Sequence, residues 1–188
     1  MSEYYDLGTH HRTITTASPE AQCWFDRGLV WTYGFNHEEA VRCFTRAIEH
    51  DPDCAMAYWG VAYASGPNYN RTWTMFDPVT LAGLLERTHT ASQQAIALRE
   101  HASPVEQALI LALGRRYQSA QPAADFAVWN DDYADAMRAV YAKYPDDLDV
   151  AALFGEALLN RTPWQMWDLP AAPPAERTST GEAMAVLE

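Results

Sequence analysis

The sequence predicts an all-α protein, arranged as an α-solenoid of antiparallel helix pairs. Two observations carry this prediction. Helix-start and helix-stop signals follow one another along almost the whole chain. In addition, one pair of predicted helices carries small and aromatic residues at the fixed offsets of a helical repeat.

The helix signals are strongest where Pro or Ser stands at a boundary. Ser18 is a favourable N-cap and Pro19 suits the first helical position. Pro52 ends the second helix, because proline disfavours helical backbone in the residue before it. Ser103 and Glu106 have the spacing of a capping box. The predicted helices cover residues 19–33, 37–50, 53–65, 77–100, 125–143 and 147–160, and two more begin near residues 104 and 180.

The remaining stretches divide the chain into four parts. We expect an irregular N-terminal segment over residues 1–17, followed by a helical repeat domain over residues 18–160. A breaker cluster opens a long loop at residues 66–76 inside this domain. Residues 161–178 are rich in Pro and Trp and predict an extended segment packed on the helices, and residues 179–188 begin a further helix.

The composition indicates a folded protein that does not bind nucleic acid. Of its 188 residues, 48% are hydrophobic and 12% aromatic, which is too much apolar surface for a disordered chain. The net charge of -12 disfavours nucleic acid as a partner, because phosphate contacts depend on Lys and Arg. An acidic balance leaves a basic peptide or a cation open as a ligand, although net charge acts mainly on solubility.

Membrane and metal partners are not expected. No apolar run reaches the ~18 residues that a bilayer-spanning helix needs, and no hydrophobic signal segment stands at the N-terminus, so we expect a cytoplasmic protein. Cys23, Cys43 and Cys54 match no metal-binding spacing and are expected to be buried, reduced thiols. No HExxH, nucleophile-elbow or phosphate-loop motif is present, so we expect no cofactor and assign no catalytic residue.

The helical repeat signature covers the first two predicted helices. It requires W-x2-L-G-x2-Y, then A-x3-F, then P, on a 34-residue period. Small residues belong where two antiparallel helices approach closely, and aromatic residues fill the space between them. The matching positions, with Arg27 in place of the leucine, are Trp24, Gly28, Trp31, Ala40, Phe44 and Pro52.

Residues 20–53 therefore resemble a tetratricopeptide repeat. Together with GFNHEEA at residues 34–40 and GPNYN at residues 66–70, they make the chain similar to the N-terminal part of uncharacterised bacterial tetratricopeptide-domain proteins. The resemblance implies a superhelix in which the first helix of each pair lines a concave, ligand-binding groove. Longer members carry His-rich helical motifs that have no counterpart in this sequence, so no metal role is carried over.

The resemblance, together with the polar loop, predicts a ligand site that is aromatic and apolar. An apolar groove suits an amphipathic helix or an apolar peptide. Two alternatives stay open: the chain's own Trp164–Trp167 stretch fills the groove, or His37 only packs in a turn. The predicted ligand-binding residues are Phe25, Tyr33, His37, Trp59, Tyr63, Asn68, Tyr69 and Asn70.

The leading functional hypothesis is a scaffold that binds a protein or peptide in this groove. The alternative is the N-terminal part, or one subunit, of a larger metal-dependent enzyme whose catalytic residues lie outside this chain. Self-association, or assembly with a missing C-terminal half, is a third expectation, because open repeat arrays need capping at their ends.

Overall fold

The structure is a computed structural model that describes residues 4–167 and 179–188. This part of the chain is all-α, as predicted, with a single isolated bridge between Asn68 and Arg71 and no named strand. A short 3-10 turn precedes α4 and another follows it. The helices are α1 (Pro19–Tyr33), α2 (His37–His50), α3 (Ala55–Ser65), α4 (Pro78–Leu98), α5 (Pro104–Arg116), α6 (Phe126–Lys143), α7 (Leu148–Leu159) and α8 (Thr180–Leu187).

The predicted helix boundaries hold because side chains cap them locally. The Ser18 side chain accepts a hydrogen bond from the Ala21 amide at the start of α1. The capping box is also formed: Ser103 caps α5, and the Glu106 carboxylate accepts the Ser103 amide at 2.7 Å. Each bond satisfies a backbone group that a helix end leaves without a partner.

Consecutive helices pack against one another along the whole described chain. In addition, α1 packs against α3 and α3 against α5, so these three helices lie side by side. The ring of Phe44 on α2 is tightly enclosed by two other helices. A Cβ atom added at Gly28 would lie 2.6 Å from this ring, and one added at Gly60 would lie 2.4 Å from it. Two glycines therefore allow α1 and α3 to close on one aromatic side chain.

Two expectations about packing need correction. Cys23 is exposed, because it lies on the outer face of α1, whereas Cys43 and Cys54 are buried as expected and all three thiols are free. Trp164 is 65% exposed and Trp167 is 43% exposed, so neither is sealed against the helices. The rest of the predicted extended segment, residues 168–178, lies outside the described residues.

Residues 4–17, the described part of the segment before α1, are non-helical and pack on the helices. The Tyr4 hydroxyl accepts a hydrogen bond from the Trp31 indole at 2.8 Å and donates one to Glu39 at 2.9 Å. Further along, Ile14 belongs to the hydrophobic core. The segment thus runs along α1 and into the interior. Among the described residues, no helix is long and apolar enough to cross a bilayer.

Candidate functional site

A groove between α1, α5 and the start of α7 holds residues 10–16 of the same chain. Inward and outward side chains alternate along this segment: Arg12 and Ile14 are buried, with 9% and 5% of their surfaces exposed, whereas Thr13 and Thr15 are exposed. Alternation with a period of two is the pattern of an extended peptide that has one face on a surface.

Side chains of α1 bind the backbone of this segment. The Gln22 amide donates a hydrogen bond to the Arg12 carbonyl at 2.9 Å and accepts one from the Ile14 amide at 2.9 Å. The Asp26 carboxylate accepts the Arg12 amide at 3.1 Å. These contacts involve only backbone groups of the segment, so they hold an extended chain without depending on its side chains.

The N-terminus of α5 binds the next residue, Thr15. The Thr15 amide and hydroxyl donate to the two oxygens of the Glu106 carboxylate, at 2.7 Å and 2.6 Å. The Thr15 hydroxyl also accepts the Ser103 amide at 3.2 Å. Glu106 is 1% exposed, so the carboxylate that caps α5 also anchors the segment away from solvent.

The start of α7 supplies a carboxylate pair for Arg12. One terminal nitrogen of the guanidinium donates to Asp147 at 2.8 Å and to Asp149 at 3.0 Å, and the other donates to Asp147 at 3.0 Å. Burial acts to lower the pKa of Arg12, but the hydrogen bonds to Asp147 and Asp149 outweigh it and the pKa is raised. Burial likewise acts to raise the pKa of Asp147, whereas the bond from Arg12 lowers it, and the pKa is lowered overall. Both groups are therefore charged at neutral pH.

Asp149 also connects this carboxylate pair to the end of α1. It accepts the Tyr33 hydroxyl at 2.6 Å and lies 3.4 Å from a ring nitrogen of His10. Burial and the negative charge of Asp149 raise the pKa of Tyr33, so its hydroxyl stays protonated and acts as a donor.

A second polar cluster lies further along α7, around Glu156. Arg116 is 1% exposed, lies 3.5 Å from the Glu156 carboxylate, and donates to the Pro67 carbonyl at 3.0 Å. The Tyr63 hydroxyl donates to Glu156 at 3.1 Å, and the Asn160 side chain donates to it as well. Burial acts to lower the pKa of Arg116, but Tyr117 and Glu156 outweigh it and the pKa is raised.

His37 lies at the start of α2, within range of the charges of this cluster. Within the described residues, both of its ring nitrogens are buried and have no hydrogen-bond partner. Burial lowers its pKa; the charge of Glu156 opposes this shift and that of Arg116 adds to it. The imidazole is therefore neutral at neutral pH.

The structure brings two predicted site residues to α7 and places the apolar ones in the core. Tyr33 and Tyr63 bond to Asp149 and Glu156, as described above. Phe25 has no exposed surface and packs on Phe44, with ring centres 5.4 Å apart. Trp59 is 2% exposed and stacks on Tyr63 at 5.1 Å. A ligand would reach Phe25 or Trp59 only if the helices parted, because other parts of the chain cover both rings.

The predicted loop residues lie at a separate place. The Asn68 side chain accepts the amides of Asn70 and Arg71, at 2.9 Å and 3.1 Å, so it closes a turn. Asn70 is exposed. The Tyr69 ring stacks on Trp164, with ring centres 5.4 Å apart, and its hydroxyl accepts the Trp164 amide. The Trp164 stretch therefore covers the loop, while the groove along α1 holds residues 10–16.

Sequence reasoning missed most of the groove. The predicted ligand-binding residues include none of Arg12, Gln22, Glu106, Asp147 and Asp149. Glu106 was explained by its capping role alone. One pattern in the sequence could have indicated the groove: residues 12–15 alternate Arg12 and Ile14 with threonines, in a stretch that we predicted to be irregular.

In residues 4–167 and 179–188, no three His, Cys, Asp or Glu side chains are grouped so that they could hold a metal ion. The groove and the Glu156 cluster are therefore described by hydrogen bonds and ion pairs alone. Comparisons of the chain with protein-family models, curated proteins and solved structures give no match, so its function has to be argued from this geometry.

Proposed function

We propose that the chain is a tetratricopeptide-like scaffold that binds an extended segment of a protein partner. The binding surface is the groove formed by α1, α5 and the start of α7, on the concave side of a superhelix of helix pairs. The polar side chains of α1, α5 and the start of α7 hold the ligand, and the predicted aromatic residues Phe25 and Trp59 pack in the core behind them.

The packing of the first helices supports the repeat architecture. Gly28 and Phe44 belong to the repeat signature, and their close contact is the one that the signature requires of a helix pair. Gly60 lies 32 residues after Gly28 and contacts the same ring, so the next helix approaches Phe44 in a similar way. The side-by-side placement of α1, α3 and α5 agrees with first helices that line one face.

One observation carries the binding proposal: the groove already holds an extended stretch of chain by its backbone. Gln22, Asp26 and Glu106 together accept three amides and donate to one carbonyl of residues 12–15. Side chains that satisfy the backbone of an extended ligand are a recurring means of peptide recognition. Three of the groove's charged groups, Asp26, Asp147 and Asp149, are acidic, which favours a ligand that carries positive charge.

A peptide-display selection against the intact chain tests this proposal, with hydrogen exchange of the bound complex as the readout. A peptide that enters the groove has to displace residues 10–16. The amides of Arg12, Ile14 and Thr15 should therefore exchange faster when the peptide is bound, while those of α4 stay unchanged. The proposal fails if no peptide is enriched, or if enriched peptides bind without changing exchange at these three amides.

The alternative hypothesis is that the chain is part of a larger metal-dependent enzyme. It stays a prediction, because its catalytic groups would lie outside this chain and the described residues do not test it. Elemental analysis of the purified protein, combined with native mass spectrometry of the intact chain, tests whether it holds a metal. One bound metal ion per chain would favour the enzyme hypothesis over the scaffold hypothesis.

A further inference from the structure

We infer that the partner segment carries an arginine, a branched aliphatic residue two positions later and an unmodified threonine after that, and that residues 12–15 of this chain are a built-in competitor for it. This inference rests on the proposed function and adds the chemistry of the ligand. The pattern is taken from the side chains that the groove already encloses.

The first position requires arginine because of the geometry around Arg12. Its two terminal nitrogens make three hydrogen bonds to two carboxylates, at 2.8, 3.0 and 3.0 Å. A planar guanidinium presents these donors in a fixed fork, whereas a lysine ammonium is a single point charge. Asp147 and Asp149 are partly buried, with 24% and 13% of their side-chain surfaces exposed, so an uncharged residue would leave two carboxylates without compensation.

The second and third positions follow from Ile14 and Thr15. Ile14 is 5% exposed and belongs to the hydrophobic core, so this position selects a compact aliphatic side chain. The Thr15 hydroxyl lies 2.6 Å from the buried carboxylate of Glu106. A phosphate on this hydroxyl would face that negative charge at contact distance, so a phosphorylated threonine is excluded.

The chain's own segment lowers the apparent affinity for such a partner. A short tether keeps residues 12–15 at an effective concentration on the order of 1 mM near the groove. If the segment itself binds the groove with an intrinsic dissociation constant of about 10 µM, the groove is about 99% occupied, and the apparent affinity of a partner falls about 100-fold. Weakening the internal competitor should restore that affinity.

A fluorescein-labelled peptide with the sequence of residues 8–17 serves as the probe, and its fluorescence anisotropy is measured with the full chain. The Arg12→Ala chain should bind the probe at least 10-fold more tightly than the wild-type chain. An Arg46→Ala chain is the control, because Arg46 is exposed on α2 and pairs only with Glu49. It should bind the probe as the wild type does.

The probe itself carries the specificity test. Changing its arginine to lysine or alanine, or phosphorylating the threonine that corresponds to Thr15, should weaken binding to the Arg12→Ala chain at least 10-fold. Asp149→Asn in the same chain should have a similar effect. Equal binding of the original and alanine probes would overturn the inference.

A second variant, cleaved only after folding, keeps the test valid if Arg12→Ala does not fold. A protease site inserted between Ala17 and Ser18 lets the protein fold with its segment in place, and cleavage then removes only the tether. Native mass spectrometry should show the labelled probe replacing the cut segment, and no exchange would overturn the inference. If peptides of other chemistry still expose the amides of Arg12 and Thr15, the scaffold proposal stands without this inference; if no peptide of any kind does so, both fail.

Discussion

Replacing Gly60 by alanine tests the close packing of α3 on the Phe44 ring. The new Cβ would lie 2.4, 2.5 and 2.6 Å from three atoms of the Phe44 ring, where real Cβ contacts do not fall below 3.0 Å. The ring cannot move away from Gly60 towards α1, because it already lies against Gly28, whose ideal Cβ position is only 2.6 Å from the ring. A rigid ring enclosed on two sides leaves a shift of the helices as the only relief.

The size of the effect follows from two opposing terms. Overpacking a core costs about 1–3 kcal/mol, and the upper end applies to a rigid aromatic neighbour. Alanine regains about 0.5–1 kcal/mol over glycine within a helix. We therefore expect Gly60→Ala to lower the free energy of unfolding by about 2 kcal/mol. Gly83→Ala is the matched control: its Cβ has no atom within 4 Å, so this variant should be more stable than wild type by about 0.5–1 kcal/mol.

Urea unfolding followed by circular dichroism measures both variants, and a constant m-value shows that the comparison is between like transitions. Phe44→Leu combined with Gly60→Ala should lose less stability than the sum of the single changes, because the smaller side chain makes room for the new methyl group. The packing argument would be refuted if Gly60→Ala and Gly83→Ala changed stability in the same direction.

Three further predictions concern the polar cluster and the first turn. Burial lowers the pKa of His37 below 6.5, so the unfolded chain binds a proton first and stability falls as the pH drops through that value. Urea unfolding at about pH 7.5 and 5.5 measures how much free energy of unfolding is lost on acidification. This loss should be smaller than in the wild type for His37→Gln but not for His50→Gln, whose side chain is exposed, and equal losses in the two variants would contradict this. Arg116→Met should cost about 3 kcal/mol by leaving Glu156 without its cationic partner, and adding Glu156→Gln should recover at least about 1 kcal/mol; strictly additive effects would reject the coupling. Phe35 has a φ of 59° and is 60% exposed. Phe35→Gly should relieve about 1 kcal/mol of backbone strain and so raise the midpoint of thermal unfolding. A lower midpoint would show that the exposed ring contributes more to stability than the strain costs.

The helices were predictable because their boundaries depend on residues that are close in sequence. The bounds of α1 and α2 agree with the prediction to the residue, since Ser18, Pro19 and Pro52 act on the backbone within one turn of themselves. The capping box at Ser103 was predicted for the same reason. Such interactions require no knowledge of how the helices pack.

The groove was not predictable by this route. Arg12 bonds to carboxylates 135 and 137 positions away, and an arginine in a buried ion pair looks the same in sequence as one on a solvated surface. Glu106 illustrates the difficulty further: its capping role is local and was predicted, whereas its bonds to Thr15 span 91 positions. The aromatic residues show the opposite difficulty, because Phe25 and Trp59, which we expected to face a ligand, are buried among the helices.

The sequence by itself determined the all-α class, the ends of the helices and the glycine positions that let α1 and α3 close on Phe44. These features follow from backbone conformation and side-chain volume, which act over a turn or across one helix pair. Only the tertiary structure decided which face stays open, which carboxylates meet Arg12 and what lies in the groove along α1. Those outcomes depend on where α5 and α7 lie relative to the segment along α1, and burial of a charged pair is favourable only when that placement brings both partners within hydrogen-bonding distance.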